Sequence, residues 1–149
     1  MKKQKVIVSA CLLGEYCRYD GQTKKDEDLI AWLEDKNVIP FCPEAPVMGT
    51  PRARINVVRQ AHHFTLVRED NGQDMTHEII NETQKMIESD PDTDLLILKS
   101  KSPSCGCGTT PIFDEDGKEI LKGDGIATMT FKKVFRNIYD EINYKEYTC

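Results

Sequence analysis

Hydrophobic positions along this chain alternate between short continuous runs and stripes at helical spacing. Val6-Ile7-Val8, Val38-Ile39-Pro40-Phe41 and Leu95-Leu96-Ile97-Leu98 are compact apolar runs of strand length, and the last, bounded by turn signals, predicts a central strand buried on both faces. His63-Phe64-Thr65-Leu66-Val67 predicts a further strand, closed by an Asn71-Gly72 turn. Between these runs, Leu29, Ile30 and Leu33 share one face of a helix predicted over Asp26 to Asp35, whose acidic start suits a helix N-terminus. Ile79, Ile80, Met86 and Ile87 predict a second helix from about Asp74 to Ser89. Pro43, Pro46 and Pro51 make the segment up to Arg54 an irregular loop, Asp114-Glu115-Asp116-Gly117 marks a hairpin-like turn, and a last helix is expected from Ile126 to about Asn137.

Strands alternating with helices, joined by right-handed crossovers, give an α/β sandwich with a small, mostly parallel, Rossmann-like sheet. A length of 149 residues fits one domain, 1–149, and no internal repeat, linker or low-complexity segment interrupts it. Cys11, Cys42 and Cys105 each follow one of the three apolar runs, Cys105 after a Ser-Pro turn. If those runs are neighbouring parallel strands, the three thiols emerge at one carboxyl edge, where open α/β sheets place their ligand sites.

A formal net charge of -5 and a pI near 5.2 describe an acidic protein, so an extended grip on nucleic-acid backbone is not expected. Met1-Lys2-Lys3-Gln4-Lys5 before Val6 to Cys11 imitates a basic leader with a lipoprotein-type cleavage site. The apolar part is too short beside the roughly 7 to 15 residues of a secretory segment. No stretch approaches the roughly 20 apolar residues that cross a bilayer, and a cytoplasmic protein is expected. Six cysteines at irregular spacing fit free thiols better than a disulfide scaffold.

Thiolates suit soft or borderline metals, and the ligand count decides the site. The chain has no C-x-x-C pair, only Cys105-Gly106-Cys107, which argues against a zinc ribbon. An iron-sulfur cluster held by three cysteines would leave one iron open as a Lewis acid. Cys149 reads as a packing or frayed-end residue, Cys17 as a fourth ligand or a packing residue, and Cys107 as a spare ligand, a resolving thiol or neutral. Gly123-Asp124-Gly125 reads either as an anion-binding turn or as a loop and helix cap. His62 and His63 are adjacent, would point to opposite faces of a strand, and receive no role. No Walker or G-x-G-x-x-G loop indicates a nucleotide cofactor.

Five blocks carry a resemblance: Ser9-Ala10-Cys11-Leu12-Leu13-Gly14, Cys17-Arg18-Tyr19-Asp20-Gly21, Cys42-Pro43-Glu44, Lys101-Ser102-Pro103-Ser104-Cys105-Gly106 and Gly123-Asp124-Gly125. Together, in this order from about Val6 to Phe135, they resemble the thiouracil desulfidase family. The resemblance implies an oxygen-sensitive [4Fe-4S] cluster with Cys11, Cys42 and Cys105 as ligands. It also implies transfer of sulfur from a thiolated pyrimidine to the open iron, without net redox change. Water must then attack the carbon and protons must move, so Glu44, two residues after a ligand cysteine, is the candidate general acid/base.

Ser102 and Ser104 are candidates to hydrogen-bond the substrate ring or the cluster sulfides, or else serve the backbone of their own turn. Arg52 is the candidate substrate-binding residue and Arg54 a second. After Gly49-Thr50-Pro51-Arg52, relatives tend to continue with further prolines and an acidic residue, where this chain has Ala53-Arg54-Ile55-Asn56-Val57. The expected partner is a small thiolated base such as 2-thiouracil, with no membrane and no protein partner evident. Two other readings stand beside this one: a thiol-redox protein cycling Cys105 with Cys107 or Cys11 with Cys17, and a noncatalytic zinc module.

Overall fold

The computed structural model describes residues 3–16 and 18–147. Its first half runs β1 (Lys5–Ser9), α1 (Glu27–Trp32), β2 (Asn37–Phe41), α2 (Glu44–Met48), β3 (Ile55–Gln60) and β4 (His63–Arg68). The second half runs α3 (Thr76–Ser89), β5 (Leu95–Leu98), β6 (Thr110–Phe113), β7 (Glu119–Gly123), α4 (Ile126–Phe131) and β8 (Ile138–Asp140). Short 3-10 turns follow β1 at Ala10–Leu13 and β8 at Tyr144–Glu146.

Two four-stranded sheets result. Sheet A has the order β2-β1-β5-β8 and is parallel throughout. Sheet B has the order β4-β3-β6-β7, two antiparallel hairpins joined by a parallel β3-β6 pair. The α/β class and the parallel sheet agree with the sequence reading; sheet B is an addition to it. β1 and β5 are interior strands whose central side chains have no exposed surface. Alternate residues enter two different cores, as the pleat requires. Ile7, Leu96 and Leu98 pack with α3, α4 and sheet B, while Val6, Val8, Leu95 and Ile97 pack under α1 and Tyr144.

Several elements differ from the pattern-based expectation. Residues 44–48 form a short helix rather than irregular loop: Pro43 caps it and Pro46 sits in its first turn, where backbone N–H groups have no helical partner to lose. The last helix stops at Phe131, not near Asn137, and the chain turns back so that Ile138–Asp140 adds an edge strand beside β5. Ile55–Gln60 is a strand that the proline-rich stretch before it obscured. Asp114–Gly117 does turn a hairpin, between β6 and β7. His62 and His63 are both exposed at the tip of the β3-β4 hairpin. Among the described residues, no helix is long and apolar enough to cross a membrane.

Candidate active site

Because β2, β1 and β5 are adjacent and parallel, their carboxyl ends lie side by side, and each is followed by a cysteine. Cys11 sits in the 3-10 turn after β1, where its carbonyl accepts hydrogen bonds from the Lys24 amide at 3.1 Å and the Thr23 hydroxyl at 2.7 Å. Gly14 closes that turn at φ 100°, a conformation that suits glycine. Cys42 lies between β2 and α2, half-buried. Cys105 is buried in the turn between β5 and β6. All three line one cleft of about 520 Å³. Cys17 and Cys149 lie outside the described residues. Cys107 is half-buried and absent from the lining of that cleft.

Burial drives the Cys105 thiol far above its usual pKa. Hydrogen bonds from the Ser9 and Ser102 hydroxyls oppose the rise, while nearby Cys42 and Glu44 add to it. A sulfur so placed is comfortable as a thiol or as a metal-bound thiolate, and uncomfortable as a free anion. The Cys107 pKa is also raised, first by burial, with Lys132 counteracting.

Glu44 is buried at the first position of α2, with both carboxylate oxygens engaged. The Ser104 hydroxyl donates to Oε2 at 2.7 Å, and Arg52 Nε approaches Oε1 at 3.3 Å. The Arg52 side chain, only 4% exposed, also donates through Nη1 to the Gly49 carbonyl at 2.9 Å and to Thr50 Oγ1 at 3.1 Å. Arg52 thus stands at the cleft as a brace for Glu44. Ser104 has no exposed surface and is not part of the cleft wall, so its place is behind Glu44 rather than against a substrate. Ser102 lines the cleft, and its Oγ accepts the Ser104 amide at 3.2 Å and the Cys105 amide at 3.0 Å. Its hydroxyl oxygen therefore serves the backbone of its own turn.

Cations dominate the rest of the wall: Arg18, Lys24, Arg54, Lys99 and Lys101 join Arg52, against Glu44 as the one acidic residue of the lining. Arg54 lies over the Tyr19 ring at 4.7 Å and bonds its hydroxyl. Gly123-Asp124-Gly125 offers no amide cradle for an anion, because the first amides of α4 bond carbonyls of the 103–106 turn and Asp124 binds the Gly108 amide and Lys132. Ser9, buried at the end of β1, also lines the cleft, and the sequence marks it only as the first residue of the Ser9-Ala10-Cys11 block.

The family model for 2-thiouracil desulfurase matches residues 6–143. The chain belongs to this family. A solved structure entitled "[4Fe-4S]-dependent thiouracil desulfidase TudS" superposes with a TM-score of 0.80 at 32% identity, covering 97% of this chain and 95% of the other. The uncharacterized protein YbbK of Bacillus subtilis (strain 168) is 27% identical over 146 residues, 91% of this chain and 95% of its own. Similarity along almost the full length puts this chain's thiol cleft within a desulfurase frame.

The donor set can be tested against a cluster. No three His, Cys, Asp or Glu among the described residues gather around one point as a single ion requires. A cubane cluster asks for something else, since each thiolate binds a different iron and the sulfurs stand apart. Three thiols on three adjacent strand ends around one cleft fit that demand.

Proposed function

We propose that this protein removes sulfur from a thiolated pyrimidine, replacing C=S by C=O, with a [4Fe-4S] cluster held by Cys11, Cys42 and Cys105. The observation that carries the proposal is the convergence of these three cysteines and Glu44 on one cleft. When bound, the cluster supplies an iron without a protein ligand, a Lewis acid for the thiocarbonyl sulfur. In the overall reaction, one water adds its oxygen to the carbon and sulfur leaves as hydrogen sulfide, with no electrons gained or lost.

Glu44 takes a proton from the attacking water and returns one as sulfur departs. Arg52 and Ser104 hold its two oxygens so that the carboxylate cannot swing out of the cleft, which is the positioning such catalysis needs. Ser102 and Ser9 steady the Cys105 sulfur. On this reading residues 1–149 are one desulfidase-like domain. Of the cleft cations, Arg52, Lys99 and Arg18 are paired with Glu44, Glu141 and Asp20, and the remaining Lys24, Arg54 and Lys101 favour a thiopyrimidine with a negative charge, such as a nucleotide, over the neutral base.

A direct test compares 2-thiouracil with its nucleoside 5′-monophosphate on anaerobically loaded protein, following sulfide and oxo-product together. Equimolar release of both from either substrate is expected, with the lower KM for the nucleotide. Sulfide without oxo-product, or no turnover of either by loaded protein, would overturn the reading.

A further inference from the structure

The start of α4 is bonded to the Cys105 turn more heavily than capping a helix requires. The Ile126 amide donates to the Pro103 carbonyl at 3.1 Å and the Ala127 amide to the Ser104 carbonyl at 2.8 Å. A Cβ on Gly125 would lie 2.4 Å from the Ser104 carbonyl carbon, so helix and turn meet with no slack. Thr128 contributes twice: its amide reaches the Ser104 carbonyl at 3.2 Å and its hydroxyl the Cys105 carbonyl at 2.8 Å. It has no exposed surface. A helical threonine commonly turns its hydroxyl onto a carbonyl of its own helix, as Thr130 does onto Ile126; Thr128 instead reaches across 23 residues.

Ser104 and Cys105 are consecutive, and they face different tasks. The Ser104 side chain holds Glu44, while Cys105 lines the cleft. Whatever fixes their two carbonyls fixes the sulfur relative to the carboxylate. We propose that Thr128 is a positioning residue that, by binding the carbonyls of Ser104 and Cys105, sets the placement of the cluster ligand against the Glu44 carboxylate. Both parts of this inference rest on the proposed function, the kinetic part on the desulfidase activity and the iron-release part on Cys105 as a cluster ligand. Without the hydroxyl, the buried Cys105 carbonyl loses a partner, an effect that costs several-fold in any equilibrium the turn controls.

The test uses the full-length, anaerobically loaded chain as wild type, Thr128→Val and Thr128→Ser. Thr128→Val should release iron to a chelator about fivefold faster and lose about fivefold in kcat with KM unchanged, and Thr128→Ser should restore both. Wild-type iron release by Thr128→Val, or a defect equally large in Thr128→Ser, would overturn the proposal, the latter by assigning the effect to methyl packing. Should loaded wild type fail to turn over, the desulfidase reading falls while the iron-release rates still decide the role of Thr128. Hydrogen exchange in the loaded wild type gives a check independent of any variant: the Ala127 and Thr128 amides should exchange at least about tenfold slower than unstructured backbone, and free exchange would contradict the clamp.

Discussion

Sheets A and B are each four strands wide and share one core, yet they contribute to the cleft in different ways. In sheet A every strand runs the same way, so the chain leaves β1, β2 and β5 at one edge and delivers three cysteines there. In sheet B the hairpins reverse β4 against β3 and β7 against β6, and only the central β3-β6 pair runs parallel, so its strands do not all end at one edge. It supplies wall residues instead, among them Ile55, Asn56 and Phe113. Parallel pairing concentrates chemistry at an edge, and antiparallel pairing braces it.

The largest predicted effect falls on the sheet A edge. Cys42→Ser should abolish cluster loading, read as iron per chain and visible absorption after anaerobic reconstitution; a fully loaded variant would remove Cys42 from the ligand set. Next is Glu44→Gln, which should keep the cluster and lower kcat by roughly a hundredfold or more, the scale of lost general acid/base help. Turnover near the wild-type rate would remove Glu44 from the mechanism.

Sheet B should show the reverse pattern. Leu66 is fully buried on β4, outside the cleft wall. Leu66→Ala should cost about 2 to 5 kcal/mol in chemical denaturation, while the folded fraction still loads cluster and turns over. Loss of loading in folded Leu66→Ala would erase the division of labour between the sheets.

The smallest effect concerns how the end of β5 is anchored. Burial alone would raise the Glu141 pKa, but the Ser100 amide and hydroxyl at 2.8 Å each, together with Lys99, hold it below the usual glutamate value. A folded pKa below the unfolded one gives stability that is present above the unfolded value and fades as pH falls through the folded value. Glu141→Gln should therefore be less stable than wild type at neutral pH, with the two denaturation curves converging below about pH 4. A gap that persists in acid would assign the effect to something other than this charge.

The same contrast explains what could be read in the residues beforehand. Sheet A announces itself because β1 and β5 are buried on both faces and so become unbroken apolar runs, each followed by a cysteine. β3 does show alternation, with Ile55 and Val57 inward, but it follows a proline- and arginine-rich stretch that masks it. β8 has three residues and no periodicity to detect, and its pairing with β5 is decided by the turn that ends α4 after Phe131. In the site, the cysteines and Glu44 are visible through local motifs. The contact of Ser104 with Glu44 spans 60 residues and that of Thr128 with Cys105 spans 23; only the folded chain brings them together.

The central claim is that the thiol edge of sheet A carries a cluster that desulfurates a thiolated pyrimidine. Its most direct test is the visible spectrum of anaerobically reconstituted protein before and after 2-thiouracil or its nucleotide is added, with sulfide and oxo-product assayed in the same tube. A broad brown absorption and equal release of both products are expected. A colourless protein with no bound iron, or a loaded protein that leaves both substrates unchanged, would contradict it.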